Sequence, residues 1–391
     1  MTVYLDHNAT APVPPAVVEA MLPWLGERYG NPSSVHRLGR QARAALDRAR
    51  AQVAALAGAA PEQVVFTSGG TEANNLALLG AAGAWEGRRG RPGAVAVSAV
   101  EHPSVLAAAE ALEARGWRVH RLPVDGAGRL RPEGLEAALA DPELALVSVM
   151  WANNETGVLQ DLEAVVAAAR ARGVPVHSDA VQAAGKVPLS FRDAGLALLS
   201  LSAHKLGGPK GAGALVVDRA LELEPLLRGG GQERGLRGGT EAVPALVGFG
   251  AAAELALEGG AEGLQARARA LEGLRQRLEA GLARALPEAV VAGAEAPRVP
   301  NTTLLAVPGV DGEALVLALD QLGFCLSSGS ACESGTGEPS HVLLAMGWPE
   351  ALARGAVRVS LGPGNDAAQV EAFLEALPRA VAGLRRRVAF L

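Results

Sequence analysis

Lys205 and Cys332 are the two side chains whose neighbours best suit them to act as nucleophiles. Lys205 closes the run Ser200-Leu201-Ser202-Ala203-His204-Lys205, just beyond an apolar strand signal and beside a histidine. Burial at such a strand end lowers an amine's pKa towards the neutral form that a Schiff base requires. The basic residues sharpen this reading. Of 36 lysines and arginines, only Lys186, Lys205 and Lys210 are lysines. Arginine meets any demand for a fixed positive charge but stays protonated, so retained lysines are enriched for positions where an amine must lose its proton. Cys332 lies in Ser327-Ser328-Gly329-Ser330-Ala331-Cys332-Glu333-Ser334-Gly335, a small, polar, glycine-rich stretch unlike the strand or helix face that holds a packing cysteine. Its thiol, with an ordinary pKa near ~8.5, needs a positive neighbour or a base to become a good nucleophile. Cys325, in Gly323-Phe324-Cys325-Leu326, reads as an ordinary packed residue. Two cysteines make neither a disulfide framework nor a four-cysteine zinc site.

Two further features fall where strand signals end. Ser68-Gly69-Gly70-Thr71 joins a strand signal to a helical one. Backbone N–H groups there can meet a phosphate at a helix N-terminus, or Ser68 or Thr71 can simply cap the helix. Asp179 closes Val174-Pro175-Val176-His177-Ser178, with Gln182 three residues on. A carboxylate there can hold a pyridinium nitrogen protonated, as pyridoxal phosphate needs to act as an electron sink, or it can serve as a helix cap or ion-pair partner. The glycines from 207 to 213 lack the GxxxxGK[ST] order, so no nucleotide-binding P-loop is read.

The elements that must position these groups alternate between strand and helix from about residue 63 to 218. Strand signals fall at 64–66, 94–98, 117–122, 144–150, 174–178, 196–201 and 212–217, with helical patterns at 73–84, 105–115 and 162–172. This alternation predicts an α/β fold with a mostly parallel sheet covered on both faces. Residues 38–56 carry an apolar stripe of helical period. Beyond about 255 the pattern becomes α+β: a long helix at 264–286, strands at 301–307 and 356–361, and helices at 313–322 and 366–377. Two domains are expected, a large one at 13–255 and a smaller one formed by 1–12 and 256–391 that carries Cys332.

Composition excludes several classes. Hydrophobic residues make up 49% of the chain and the net charge is −5, so a sizeable core is affordable and no basic excess exists to meet nucleic acid or a membrane surface. No apolar run of about 18 residues suggests a membrane span, and the N-terminus has no signal-peptide pattern, so a cytoplasmic location is expected.

The chain resembles the cysteine desulfurases of the NifS/IscS type, fold-type I pyridoxal-phosphate enzymes. The matching segments run in family order: Tyr4-Leu5-Asp6-His7-Asn8-Ala9-Thr10, Gly30-Asn31-Pro32-Ser33-Ser34, residues 67–75, Glu101-His102, Asn153-Asn154-Glu155-Thr156-Gly157, residues 179–182, residues 200–205, Arg237-Gly238-Gly239-Thr240 and residues 327–332. The resemblance implies a large domain with a seven-stranded, mostly parallel sheet and a smaller α+β domain. It also implies roles. Lys205 would carry pyridoxal phosphate, His102 would stack on its ring and move protons, Asp179 would pair with the ring nitrogen, and Gln182 would bond the ring hydroxyl. Gly70, Thr71, Ser202 and His204 would bind the phosphate, joined by Thr240 from the partner subunit of a homodimer. Asn154 and Arg358 would hold the carboxylate of L-cysteine, and Cys332 would accept its sulfur as a persulfide, leaving L-alanine. The longer stretch after Cys332, through Glu338-Pro339-Ser340-His341, resembles the group serving iron–sulfur scaffolds and tRNA thiolation. Partners would then be a scaffold or sulfur-relay protein. No metal is expected beyond a transient iron–sulfur ligand at Cys332. Ala11 and Glu333 depart from the common pattern, where threonine is usual at both.

Overall fold

The computed structural model describes residues 2–329 and 338–388. A short strand, β1 (Val3–Tyr4), precedes seven that make the main sheet: β2 (Val64–Thr67), β3 (Ala94–Ser98), β4 (Arg118–Leu122), β5 (Leu144–Ser148), β6 (Val176–Asp179), β7 (Leu198–Ser202) and β8 (Gly213–Val217). Their spatial order is β2-β8-β7-β6-β5-β3-β4. Every pairing is parallel except the two made by β8. Each of the seven coincides with a strand read in the sequence.

Strands β3, β5, β7 and β8 are buried from end to end, which is why they read as continuous apolar runs rather than alternating ones. Successive side chains still part to opposite faces. Leu198 and Leu215 pack under the helices Gly70–Arg89 and Pro103–Glu113, whereas Leu199 and Val216 meet Leu46 and Val53 of the helix Arg37–Ala57. Layered in this way, the sheet sends the ends of β6 and β7 out at one edge.

Past the main sheet lie β9 (Val290–Val291), β10 (Thr302–Ala306), β11 (Phe324–Cys325), β12 (Ser327–Ser328) and β13 (Ala356–Ser360). Four of them form an antiparallel sheet in the order β12-β13-β10-β9, and β11 pairs in parallel with β1. Val3 and Leu5 therefore share a core with Leu278 and Leu282 of the helix Gly260–Ala285 and with Phe373 and Leu377 of the last helix. That last helix runs Ala367–Val388, well past the expected end at 377. Pro378 removes one N–H, but Ala380 and Val381 are buried in the same core and carry the apolar stripe onward. A further cluster joins Val100, Val124 and Met150, beyond the main sheet, to Leu304, Val342 and Leu343. It clamps the two sheets together beside the site. Among the described residues, no helix is long and apolar enough to cross a membrane.

Candidate functional site

A cavity of about 280 Å³ opens at the C-terminal ends of β6 and β7. Open α/β sheets bind ligands at this edge because loops diverge there. Ten of the expected site residues line it: Gly70, Thr71, His102, Asn154, Asp179, Gln182, Ser202, His204, Lys205 and Arg358. Thr240 is exposed and does not line the cavity of its own chain. Cys332 lies outside the described residues.

One end of the cavity suits an anion. The helix Gly70–Arg89 starts after Gly69 with no side-chain cap, so neither Ser68 nor Thr71 takes up its first N–H groups. A Cβ on Gly70 would come within 2.9 Å of Val181 Cγ2, and one on Gly213 within 2.5 Å of the Gly69 carbonyl carbon. Only glycines allow these close approaches. Ser202 Oγ, at the end of β7, is buried without a hydrogen-bond partner. His204 Nδ1 lies 3.2 Å from Thr10 Oγ1. Burial, aided by Lys205 and Lys210, lowers its pKa to about 4.

Asp179 forms the middle of the site. Asn74 Nδ2 donates to Oδ2 at 2.7 Å and the Val181 N–H donates to Oδ1 at 2.9 Å, fixing the carboxylate plane. Asn74 also bonds Ser104 Oγ at 2.9 Å, which lies 2.7 Å from His102 Nδ1. His102 caps the helix Pro103–Glu113 by accepting the Ser104 N–H at Nδ1, 3.1 Å away. A neutral ring must then carry its hydrogen on Nε2. Burial depresses the His102 pKa first; Asp179 opposes this, and Lys205 and His341 add to it. Next to it, the fully buried Glu101 is raised well above the ordinary carboxyl range by burial and then by the charge on Asp179.

Lys205 follows β7, and its Nζ donates to the main-chain carbonyls of Asn8 at 2.6 Å and Ala9 at 2.8 Å. The amine is thereby held against a segment almost two hundred residues away in sequence. Gln182 Nε2 donates to the same Asn8 carbonyl at 3.0 Å. Arg358, on β13, is only 2% exposed. It donates to Asn154 O and to Asp6 Oδ1, both at 2.9 Å, while its Nε and Asn154 Oδ1 are buried without partners. The second sheet thus contributes one cation to a cavity whose other walls are the ends and loops of the first sheet and the Asn8–Ala9 segment.

Sequence reasoning gave no role to Asn8, Asn74 or Ser104, which also line the cavity. Asn8 and Asn74 fall within quoted motifs, but nothing local reveals that they hold Lys205 and Asp179 in place.

These residues fit pyridoxal phosphate: an uncapped helix start and the unpartnered Ser202 hydroxyl for a phosphate, a fixed carboxylate for a ring nitrogen, and an amine for an aldehyde. Of the two thiols, Cys325 lies 3.8 Å from Asp320 Oδ1. Burial and Asp320 raise its pKa, which keeps it a thiol. Among the described residues no group of His, Cys, Asp and Glu is placed to hold a metal ion.

The aminotransferase class-V family model matches residues 3–373. A cysteine desulfurase of Cereibacter sphaeroides is 49% identical over 385 residues, covering 98% of this chain and 96% of that protein. The cysteine desulfurase NifS of Azotobacter vinelandii is 44% identical over 384 residues, covering 98% and 93%. A solved NifS-like protein matches the fold with a TM-score of 0.90 at 36% identity, over 98% of this chain and all of its own. The chain belongs to the class V aminotransferase family, alongside the cysteine desulfurases.

Proposed function

We propose that this chain is a pyridoxal-phosphate-dependent cysteine desulfurase that moves the sulfur of free L-cysteine onto Cys332 and releases L-alanine. The observation that carries the reading is the convergence of Lys205, Asp179, Ser202 and Arg358 on one cavity, in a chain whose full-length relatives are named for this activity.

When bound, the cofactor supplies a carbonyl that condenses with amines and a ring that delocalises a carbanion. Gly70, Thr71, Ser202 and His204 would hold its phosphate, and Asp179 would keep its ring nitrogen protonated. Arg358 and Asn154 would bind the cysteine carboxylate, bringing the α-carbon towards Lys205. The Lys205 amine would take the α-proton, and neutral His102 would hand on its Nε2 hydrogen. The balance is simple. The C–S bond of cysteine breaks, an S–S bond forms at Cys332, and the carbon skeleton leaves reduced as a methyl group, the thiol hydrogens of both cysteines being conserved between alanine and the persulfide.

The proposal extends to a homodimer in the cytoplasm. Thr240 sits exposed on a segment that the Arg237–Glu72 pair (2.9 Å) ties to the start of the phosphate-facing helix, a position from which it can serve a neighbouring cavity. The persulfide sulfur would pass to an iron–sulfur scaffold or a sulfur-relay protein.

The purified protein should be yellow, and borohydride should fix the cofactor to the Lys205 peptide. With L-cysteine, mass spectrometry should show one extra sulfur on the Cys332 peptide, and Cys332→Ala should abolish persulfide formation. Full desulfuration by Cys332→Ala would overturn the sulfur route and favour a related lyase that needs no protein thiol.

A further inference from the structure

Lys186 is the second of the three lysines, and the reaction described above makes no use of it. It does not line the cofactor cavity. Half-buried behind Gln182, it borders a second cavity of about 600 Å³ that also reaches Lys205. Its Nζ donates to Gln182 Oε1 at 2.7 Å and to Asn8 Oδ1 at 2.9 Å. Among the described residues no carboxylate forms an ion pair with it; both its partners are amide oxygens.

This arrangement has a directional consequence. A lysine offers only donors, so both amides must turn their oxygens towards it. Gln182 then has its N–H groups on the other side, where one meets the Asn8 carbonyl at 3.0 Å. That carbonyl is also the acceptor for Lys205 Nζ. Asn8 in turn spends its own side-chain N–H groups on Thr302 Oγ1 at 2.9 Å and Asn154 O at 3.3 Å. A cation bonded to Gln182 Oε1 also polarises the amide and makes its remaining N–H a stronger donor. Burial, then the charges of Lys205 and Arg358, lower the Lys186 pKa to about 7, so near neutral pH the amine exchanges between cation and neutral form; both forms have N–H groups for the two amide oxygens.

We infer that Lys186 is a positioning residue for the cofactor: it pins Gln182 to Asn8, so that Gln182 faces the cavity as a donor and the Asn8 carbonyl stays aimed at Lys205. This inference rests on the reading of the cavity as a pyridoxal-phosphate site.

The test is a double-mutant cycle on cofactor binding to the apoprotein, followed by fluorescence and by the visible band of the bound cofactor. Lys186→Met should weaken binding about tenfold and shift the band, by analogy with loss of a supporting partner behind a bound group. Gln182→Leu should do the same, and the double variant should be no worse than Gln182→Leu alone. Thermal unfolding of each apoprotein separates this from a loss of fold; if Lys186→Met does not fold, Lys186→Gln, which keeps a donor of shorter reach, enters the same cycle. Wild-type affinity and band in the Lys186 variant, or fully additive effects, would overturn the inference. Failure of the wild-type protein to take up pyridoxal phosphate would instead overturn the reading of the cavity.

Discussion

The main sheet carries a cavity at each end, and the larger is the less equipped. At the N-terminal ends of its parallel strands a space of about 450 Å³ is lined by Trp85, Arg88, Arg170, Asp218 and Glu222 among apolar residues. Its ion pair, Arg88 with Glu222, is 49% and 77% exposed, and its one buried unpaired donor is Trp85 Nε1. At the opposite end the space is about 280 Å³. There Ser202 Oγ, Asn154 Oδ1 and Arg358 Nε, from three separate elements, are all buried without partners. Unpaired buried polar atoms are costly unless something meets them. Cavity size therefore does not mark the site; the concentration of unmet hydrogen-bonding capacity does.

The most drastic way to break this contrast is at Lys205. Lys205→Ala should lower alanine production from cysteine by about 10³-fold or more, since both cofactor attachment and proton transfer are lost. Retention of a tenth of the activity would show that the reactive amine lies elsewhere. At the cavity's other wall, Arg358→Lys keeps the charge but loses the planar fork. We expect kcat/KM to fall about 10²-fold with most of the change in KM, because a uniform carboxylate contact is weakened.

The interior between the two ends can be probed by pH. His177, on β6, sits between Ser148 Oγ and Ser200 Oγ at 2.9 Å each, and burial lowers its pKa to about 3. The unfolded chain binds this proton near pH 6.5, so the contribution of neutral His177 is fully present above that value. It is lost as pH falls towards 3, at up to about 1.4 kcal/mol per pH unit. Denaturant titrations at pH 7, 6 and 5 should show that slope shallower in His177→Gln; an unchanged slope would remove His177 as its source. The smallest effect belongs to the opposite cavity. Arg88→Ala should cost less than about 0.5 kcal/mol and leave turnover unchanged, as screened surface pairs do. A loss of activity there would undo the comparison.

Much of this was legible in advance. All seven strands of the main sheet could be read, β2, β3, β5, β7 and β8 because each is a buried, mainly apolar run; β4, at the sheet's edge, is polar and buries only its last residue, Leu122. Lys205, Asp179 and Gly70 were conspicuous because each ends a strand or opens a helix. Their supports were not. Asn74 reaches Asp179 across 105 positions, and Asn8 meets Lys205 across 197. Asparagines have no periodic signature, and in a sequence such residues resemble any turn former. The capping question at Ser68 and Thr71 was likewise undecidable until the helix proved to start at Gly70, after Gly69 and without a side-chain bond. Pro378 shows the converse error: the expected end of the last helix at 377 was overridden by packing that local pattern does not display.

Read alone, the order of residues was enough to decide the layered α/β plan, the candidate nucleophiles and the chemistry of an amine paired with a distant carboxylate. Those follow from short-range causes: hydrophobic period, strand ends, and the contrast between an amine that can deprotonate and a guanidinium that cannot. Tertiary structure alone decided which groups share a cavity, which polar atoms are left unmatched, and that Lys186 stands behind Gln182 rather than at the surface. Those depend on burial and on contacts between segments hundreds of residues apart, and both arise only when the two sheets close on each other.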